Sequence, residues 1–242
     1  MPFTAFISDL HLAVERPAAT HAFSAFLRDV VPAADALYIL GDLFEYWAGD
    51  DDLSDPFNAR IAAELADVAR RVPVYLMHGN RDFLLLKDFV RASGVQLLPD
   101  PYELDLYGTR TLLMHGDLLC TDDRRYQTFR RVVRNPVAQR LALLLPLSRR
   151  KALVGGARRM SVREIQAKSM NIMDVNAAAV VNALRANGCS RLIHGHTHRC
   201  ARHEHVVDGR TCERWVLSDW YHHGQYLRVS PDACESIELP FA

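Results

Sequence analysis

No two cysteines of this chain stand close enough to form a Cys-x-x-Cys pair: Cys120, Cys189, Cys200, Cys212 and Cys234 are odd in number and widely spread. That excludes a zinc ribbon and a disulfide framework, and free thiols point to a reducing cytoplasm. Long apolar runs are also missing. The longest, Leu141 to Leu147, falls far short of the ~18 residues of a spanning helix, so the chain is expected not to cross a membrane. The opening Met-Pro-Phe-Thr-Ala-Phe-Ile-Ser-Asp9 has no basic n-region and meets a carboxylate before an apolar core can form, unlike a secretion signal. Net charge is absent too, with 29 basic and 29 acidic residues.

The chain does have enough apolar content, 49% over 242 residues, to bury the core of one large domain with room for an insertion. Its charge is segregated. Between Arg124 and Lys168 stand thirteen basic residues against one acidic residue, Glu164, so this segment carries +12 and the remainder about the opposite. A basic block beside the leucine-rich stretch 141–147 is expected to face lipid acyl chains or an anionic bilayer surface, with Arg149, Arg150 and Lys151 among its contacts. Nucleic acid is a weaker explanation of the arginines, because only Tyr126 and Phe129 interleave them.

Short β-rich runs, each cut off by a polar residue or glycine, are expected as buried strands: Phe3 to Ile7, Ala36 to Leu40, Val72 to Met77, Thr111 to Met114, Arg191 to Ile193 and Trp215 to Leu217. Helical spacing lies between them. Phe23, Phe26, Leu27 and Val30 share one face, with Thr20 placed as the N-cap; Asp55-Pro56 opens a second helix; a third around Leu85 to Val90 stops at Gly94; a fourth runs from Asp174 to Gly188. This alternation implies an α/β fold. Residues 122–168 break the rhythm with Pro136, Pro146 and Gly155-Gly156, and are expected as a helical insertion into a core of residues 1–121 and 169–242.

The strand ends carry the chemistry. They read Asp9-Leu-His11, Gly41-Asp42, Gly79-Asn80-Arg81-Asp82, His115-Gly116 and Gly195-His196-Thr-His198. Ends of parallel strands converge on one sheet edge, which brings together Asp9, His11, Asp42, Asn80, His115, His196 and His198. This N and O set without thiolate suits six-coordinate divalent ions such as Mn2+ better than structural zinc. It also exceeds the needs of one ion, so two divalent ions are expected, with Asp42 bridging them around a phosphoryl group.

The five clusters together resemble the calcineurin-like metallophosphoesterase family over residues 9–198. The resemblance implies that family's fold, two sheets flanked by helices. It also implies two ion sites, one of Asp9, His11, Asp42 and His198 and one of Asp42, Asn80, His115 and His196. Most members have His where this chain has Arg81, so their His acid catalysis is not carried over. That departure, with Gly41-Asp-Leu-Phe-Glu-Tyr-Trp47, Gly49-Asp-Asp-Asp52, His115-Gly-Asp-Leu-Leu-Cys-Thr-Asp-Asp123, Ile172-Met-Asp-Val-Asn176 and Ile193-His-Gly-His-Thr-His-Arg199, is similar to the branch that hydrolyses UDP-2,3-diacylglucosamine in lipid A synthesis.

This narrower resemblance implies a helical lid for the acyl chains at residues 122–168 and a catalytic group of Asp9, His11, Asp42, Asn80, Arg81 and His115. Its implied substrate contacts are Asn80, Arg81, Asp123, Tyr126, Ser161, Lys168 and His196. It also implies a peripheral enzyme at the cytoplasmic face of a bacterial inner membrane. Two other readings are a phosphodiesterase for a soluble nucleotide, which needs no greasy lid, and a metal-poor scaffold, which would not keep every ligand.

Overall fold

The computed structural model describes residues 1–156 and 174–241; the expected substrate contacts Ser161 and Lys168 lie outside them. Two mixed sheets stack face to face. The first has the order β11 (Cys234–Leu239), β10 (Gly224–Val229), β1 (Thr4–Ile7), β2 (Ala36–Ile39), β3 (Val74–Met77), β4 (Gln96–Leu98). The second runs β5 (Tyr102–Leu106), β6 (Thr109–Met114), β7 (Arg191–His194), β9 (Arg210–Val216), β8 (Ala201–Val207). Strands β1 to β4 are mutually parallel, as are β6, β7 and β9.

The central strands read as unbroken apolar runs because both of their faces are buried. Ala5 and Ile7 of β1 point to one layer and Phe6 to the other; Leu37 and Ile39 alternate with Tyr38 in β2. Between the sheets, Phe6, Tyr38 and Tyr75 stack across three strands with ring centroids 5.1 and 4.7 Å apart. Outside the first sheet pack α1 (Pro17–Asp29), α2 (Pro56–Ala69) and α3 (Lys87–Ser93). Outside the second packs α7 (Ala177–Asn187), through Val180 and Leu184. The architecture is the expected pair of sheets flanked by helices.

Local chemistry sets the helix ends. Asp55 caps α2 by accepting from Phe57 N, with Pro56 in the first turn, and Gly94 and Gly188 end α3 and α7 in the left-handed conformation. Thr20 is not the cap of α1. That helix starts three residues earlier, at Pro17, and the buried Thr20 hydroxyl donates to the Arg16 carbonyl inside its first turn. A proline suited to the first helical position outweighs a threonine further on. The start of α3 is held from a distance, since the Asp50 carboxylate accepts from the backbone N–H groups of Leu86, Asp88 and Phe89.

Among the described residues, α4 (Arg124–Val133), α5 (Pro136–Leu143) and α6, helical over residues 147–156, follow β6. Their basic side chains divide into two groups. Arg130 pairs with Asp117 at 2.7 Å, Arg134 donates to the Gly79 carbonyl at 2.8 Å, and Lys151 pairs with Asp52 at 2.6 Å. Arg150 is buried, donating to the Ala48 carbonyl and pairing with Asp51. Arg150 and Lys151 therefore anchor these helices to the core and are not the lipid contacts expected of them. Arg124, Arg125, Arg131, Arg140 and Arg149 stay exposed, beside exposed Phe129, Val132, Leu141 and Leu144.

Candidate metal centre

The chain turns sharply where the central parallel strands end. Asp9, His11, Asp42, His196 and His198 all have positive φ, between 49° and 67°, a conformation that costs a residue with a side chain roughly 1–3 kcal/mol. Such strain at one strand edge is offset by the surrounding backbone: Asp9 N donates to the Gly41 carbonyl, His11 N to the Asp42 carbonyl and Gly195 N to the His115 carbonyl. Gly79 and Gly195 permit the closest approaches. A Cβ on Gly79 would collide with Asp42, and one on Gly195 with Ser8 and Asp9.

Two groups of donors meet there. In the first, ligand atoms of Asp9, His11 and His198 lie within 4.8 Å of one another, with His11 Nε2 and His198 Nε2 3.5 Å apart. In the second, Asn80 Oδ1 is 3.1 Å from both His115 Nε2 and His196 Nδ1. Asp42 lies between them: its Oδ1 accepts from Arg81 N, and its Oδ2 is 4.0 Å from both His11 Nε2 and His115 Nε2. Asp9 also reaches Asp42 and His115, within 4.8 Å.

Supporting bonds aim these atoms. The Leu40 carbonyl accepts from His115 Nδ1 at 2.8 Å, and Asp219 Oδ2 lies 3.2 Å from His198 Nδ1; both leave Nε2 to the site. Asp9 Oδ2 accepts from the Ser8 hydroxyl and from His196 N. Asp82 accepts from Leu43 N and Gly79 N and so ties the loop after β2, which carries Asp42, to the loop after β3. Several lone-pair atoms converge in a buried space with few protons to separate them, and that arrangement fits divalent cations held by Asp9, His11, Asp42, Asn80, His115, His196 and His198.

The electrostatics lead the same way. Burial pushes Asp42 up to about 7, helped by the carboxylates of Asp82 and Asp9. For Asp9, burial is outweighed by the hydrogen bond and charge of His198, which hold its carboxyl below the usual range. Burial disfavours the His115 cation, yet Asp42, Asp117 and Asp9 raise it to about 9. Burial likewise opposes the His198 cation, but Asp219 and Asp9 raise it to about 10. His196 goes down to about 4, through burial and then the neighbouring His115 charge. Without cations, protons on two histidines supply the positive charge that the carboxylates require.

The calcineurin-like phosphoesterase family matches residues 4–200, the stretch that holds all seven donors. The chain belongs to that family. Its members use divalent metals, in keeping with the donors assembled here. Over 224 residues the chain is 52% identical to a protein of Aromatoleum aromaticum, covering 92% of this chain and 91% of that one. It is 50% identical over 239 residues to proteins of Serratia proteamaculans and Escherichia coli, covering 98% of this chain and 99% of each. All three are named UDP-2,3-diacylglucosamine hydrolase.

The remaining expected residues divide. Arg81 lies beside the centre with Nη1 2.7 Å from the buried Glu45 carboxylate. The Tyr126 ring sits 5.8 Å from that of His196, and its hydroxyl donates to Asp117. Asp123 is the N-cap of α4, accepting from Tyr126 N. Sequence reasoning did not single out Glu45, Asp82, Asp117, Asp219 or Arg16. The first three stand inside quoted motifs, whereas Arg16 and Asp219 carry no local signal.

Since a histidine must lose its ligating proton to bind metal, the raised His115 and His198 values fix a sign. Metal affinity should climb as pH rises toward about 9 to 10 and fall further below about 7, where Asp42 takes up a competing proton. Mn2+ titrated calorimetrically at pH 8, in two buffers of different ionisation enthalpy, should release roughly two protons. Heats that do not depend on the buffer would contradict this charge assignment.

Proposed function

We propose that this chain hydrolyses the pyrophosphate of UDP-2,3-diacylglucosamine, giving UMP and 2,3-diacylglucosamine 1-phosphate. Relatives of about half identity over nearly the full length support the substrate, and the doubled donor set around Asp42 supports the chemistry. Two divalent ions, Mn2+ in our assignment, would be held by Asp9, His11, Asp42 and His198 and by Asp42, Asn80, His115 and His196. Bound there, they supply positive charge to the phosphoryl oxygens and acidify water. In the reaction, a P–O bond forms from water to the uridine-side phosphorus, and the bond to the sugar 1-phosphate oxygen breaks.

Arg81 acts on that leaving group. A sugar 1-phosphate is weakly basic and needs its growing charge neutralised more than it needs a proton, and a guanidinium stays charged throughout. Glu45 fixes the Arg81 side chain at the edge of the centre, and Arg81 N in turn fixes Asp42. Together with Arg81, the residues Asn80, Asp123, Tyr126, Ser161, Lys168 and His196 are assigned to the head groups and phosphates of the substrate. Exposed Phe129 and Val132 on α4, Leu141 on α5 and Leu144 just after it favour a lid over residues 122–168 that receives acyl chains; a soluble nucleotide would leave them without a purpose.

Arg81→Ala is expected to bind Mn2+ normally but to release UMP on the order of 10²-fold more slowly, with Arg81→Lys recovering part of the rate. UMP release from UDP-2,3-diacylglucosamine at saturating Mn2+, measured beside metal content, checks this. Absence of UMP from the wild-type protein would remove the substrate assignment, and a fully active Arg81→Ala would remove the role of the guanidinium.

The exposed arginines lie beside those apolar side chains, an arrangement suited to peripheral contact with an anionic leaflet on the cytoplasmic side of the inner membrane, each charge contributing about 1 kcal/mol. Among the described residues no helix is long and apolar enough to cross a membrane. Co-sedimentation with phosphatidylglycerol vesicles should weaken with salt and in an Arg140→Glu, Arg149→Glu double variant. Binding indifferent to both changes would exclude the electrostatic component.

A further inference from the structure

Two tyrosines flank the histidines of the site. The Tyr126 ring, from α4, stands against His196 at 5.8 Å, on the side of Asn80 and His115. The Tyr221 ring, from the loop between β9 and β10, lies 5.4 Å from His11 and 5.9 Å from His198, on the other side. Helices with exposed apolar side chains rise beside the first tyrosine. Tyr221 is 41% exposed.

The second tyrosine is nevertheless held in a fixed pose. Trp220 before it is fully buried, donates through N to the Asp9 carbonyl and through Nε1 to the Gln225 carbonyl, and packs edge-on against Phe23 and Phe26. Tyr221 N donates to Asp219, the carboxylate that also orients His198. The Arg16 guanidinium lies 4.2 Å from the Tyr221 ring centroid and donates to the carbonyls of Leu10, His11 and Trp220. Those carbonyl bonds fix the guanidinium in place, so it backs one face of the ring.

A substrate whose two phosphates join a lipid sugar to a nucleoside sends its two halves away from the reacting phosphorus in different directions. Resting on the substrate proposed above, with its lipid half toward α4 and α5, we infer that Tyr221 is the platform on which the nucleobase stacks. A base offers a flat π-face, and a rigid tyrosine supplies a large contact area with little rotamer freedom to lose. His11 and His198 then lie between the base and the reacting phosphorus, and Arg81 and Tyr126 toward the departing sugar phosphate.

The test uses Mn2+-loaded protein and calorimetric binding of UMP and of ribose 5-phosphate, which lacks the base, with metal content measured for each variant. Wild type should bind UMP more tightly than ribose 5-phosphate. In Tyr221→Ala this preference should shrink on the order of 10-fold, while Tyr221→Phe and Tyr221→Trp should keep it. The inference is overturned if wild type shows no preference, if Tyr221→Ala retains it, or if Tyr221→Ala weakens both ligands equally. It also fails if Tyr221→Phe loses the preference as fully as Tyr221→Ala. Failure of the wild-type protein to release UMP from UDP-2,3-diacylglucosamine tells instead against the substrate, because the UMP preference is read without turnover.

Discussion

Burying carboxylates and histidines within a few ångströms of one another is unfavourable unless positive charge is supplied among them. At this strand edge the need centres on Asp42. One of its oxygens is tied to Arg81 N, and the other faces His11 and His115 at the same distance. Burial and the neighbouring carboxylates push its pKa upward, so in the cation-free protein its charge is held weakly. The left-handed backbone at five of the seven donors, the glycines that admit no Cβ and the carboxylate Asp82 binding two loops all hold Asp42 in that position. A strained, charge-poor arrangement of this kind is stabilised by what it binds.

The donors were legible in the sequence because each follows a run buried on both faces, and such runs are short, apolar and sharply ended. Phe6 between the sheets and Ile7 toward the helices explain why β1 reads as continuous rather than alternating. Strands β8 and β11 were not legible, since their exposed faces carry polar side chains that read as loop. Thr20 misled because capping preference is local, while Pro17 and the Arg16 carbonyl decide where α1 starts. Arg16 and Asp219 were invisible for a different reason: their partners lie far away in sequence, His11 and Trp220 for one and His198 for the other.

The basic side chains segregated in the sequence divide into two groups in the structure. Arg130, Arg134, Arg150 and Lys151 turn inward, pairing with Asp117 and Asp52 or capping core carbonyls, and so seat α4 to α6 beside the donors. The exposed remainder shares its surface with apolar side chains. Composition counts these charges together, and only tertiary contacts separate anchors from a surface suited to lipid. Seated this way, the helices place Tyr126 against His196.

The central claim is that Asp42 joins two cation sites into one. Electron paramagnetic resonance of Mn2+-loaded protein, read with metal content, tests it most directly. Wild type should hold two equivalents with the broadened multiline spectrum of exchange-coupled ions, and Asp42→Ala should lose both the coupling and the full complement of metal. Two equivalents with undiminished coupling in Asp42→Ala would contradict the account.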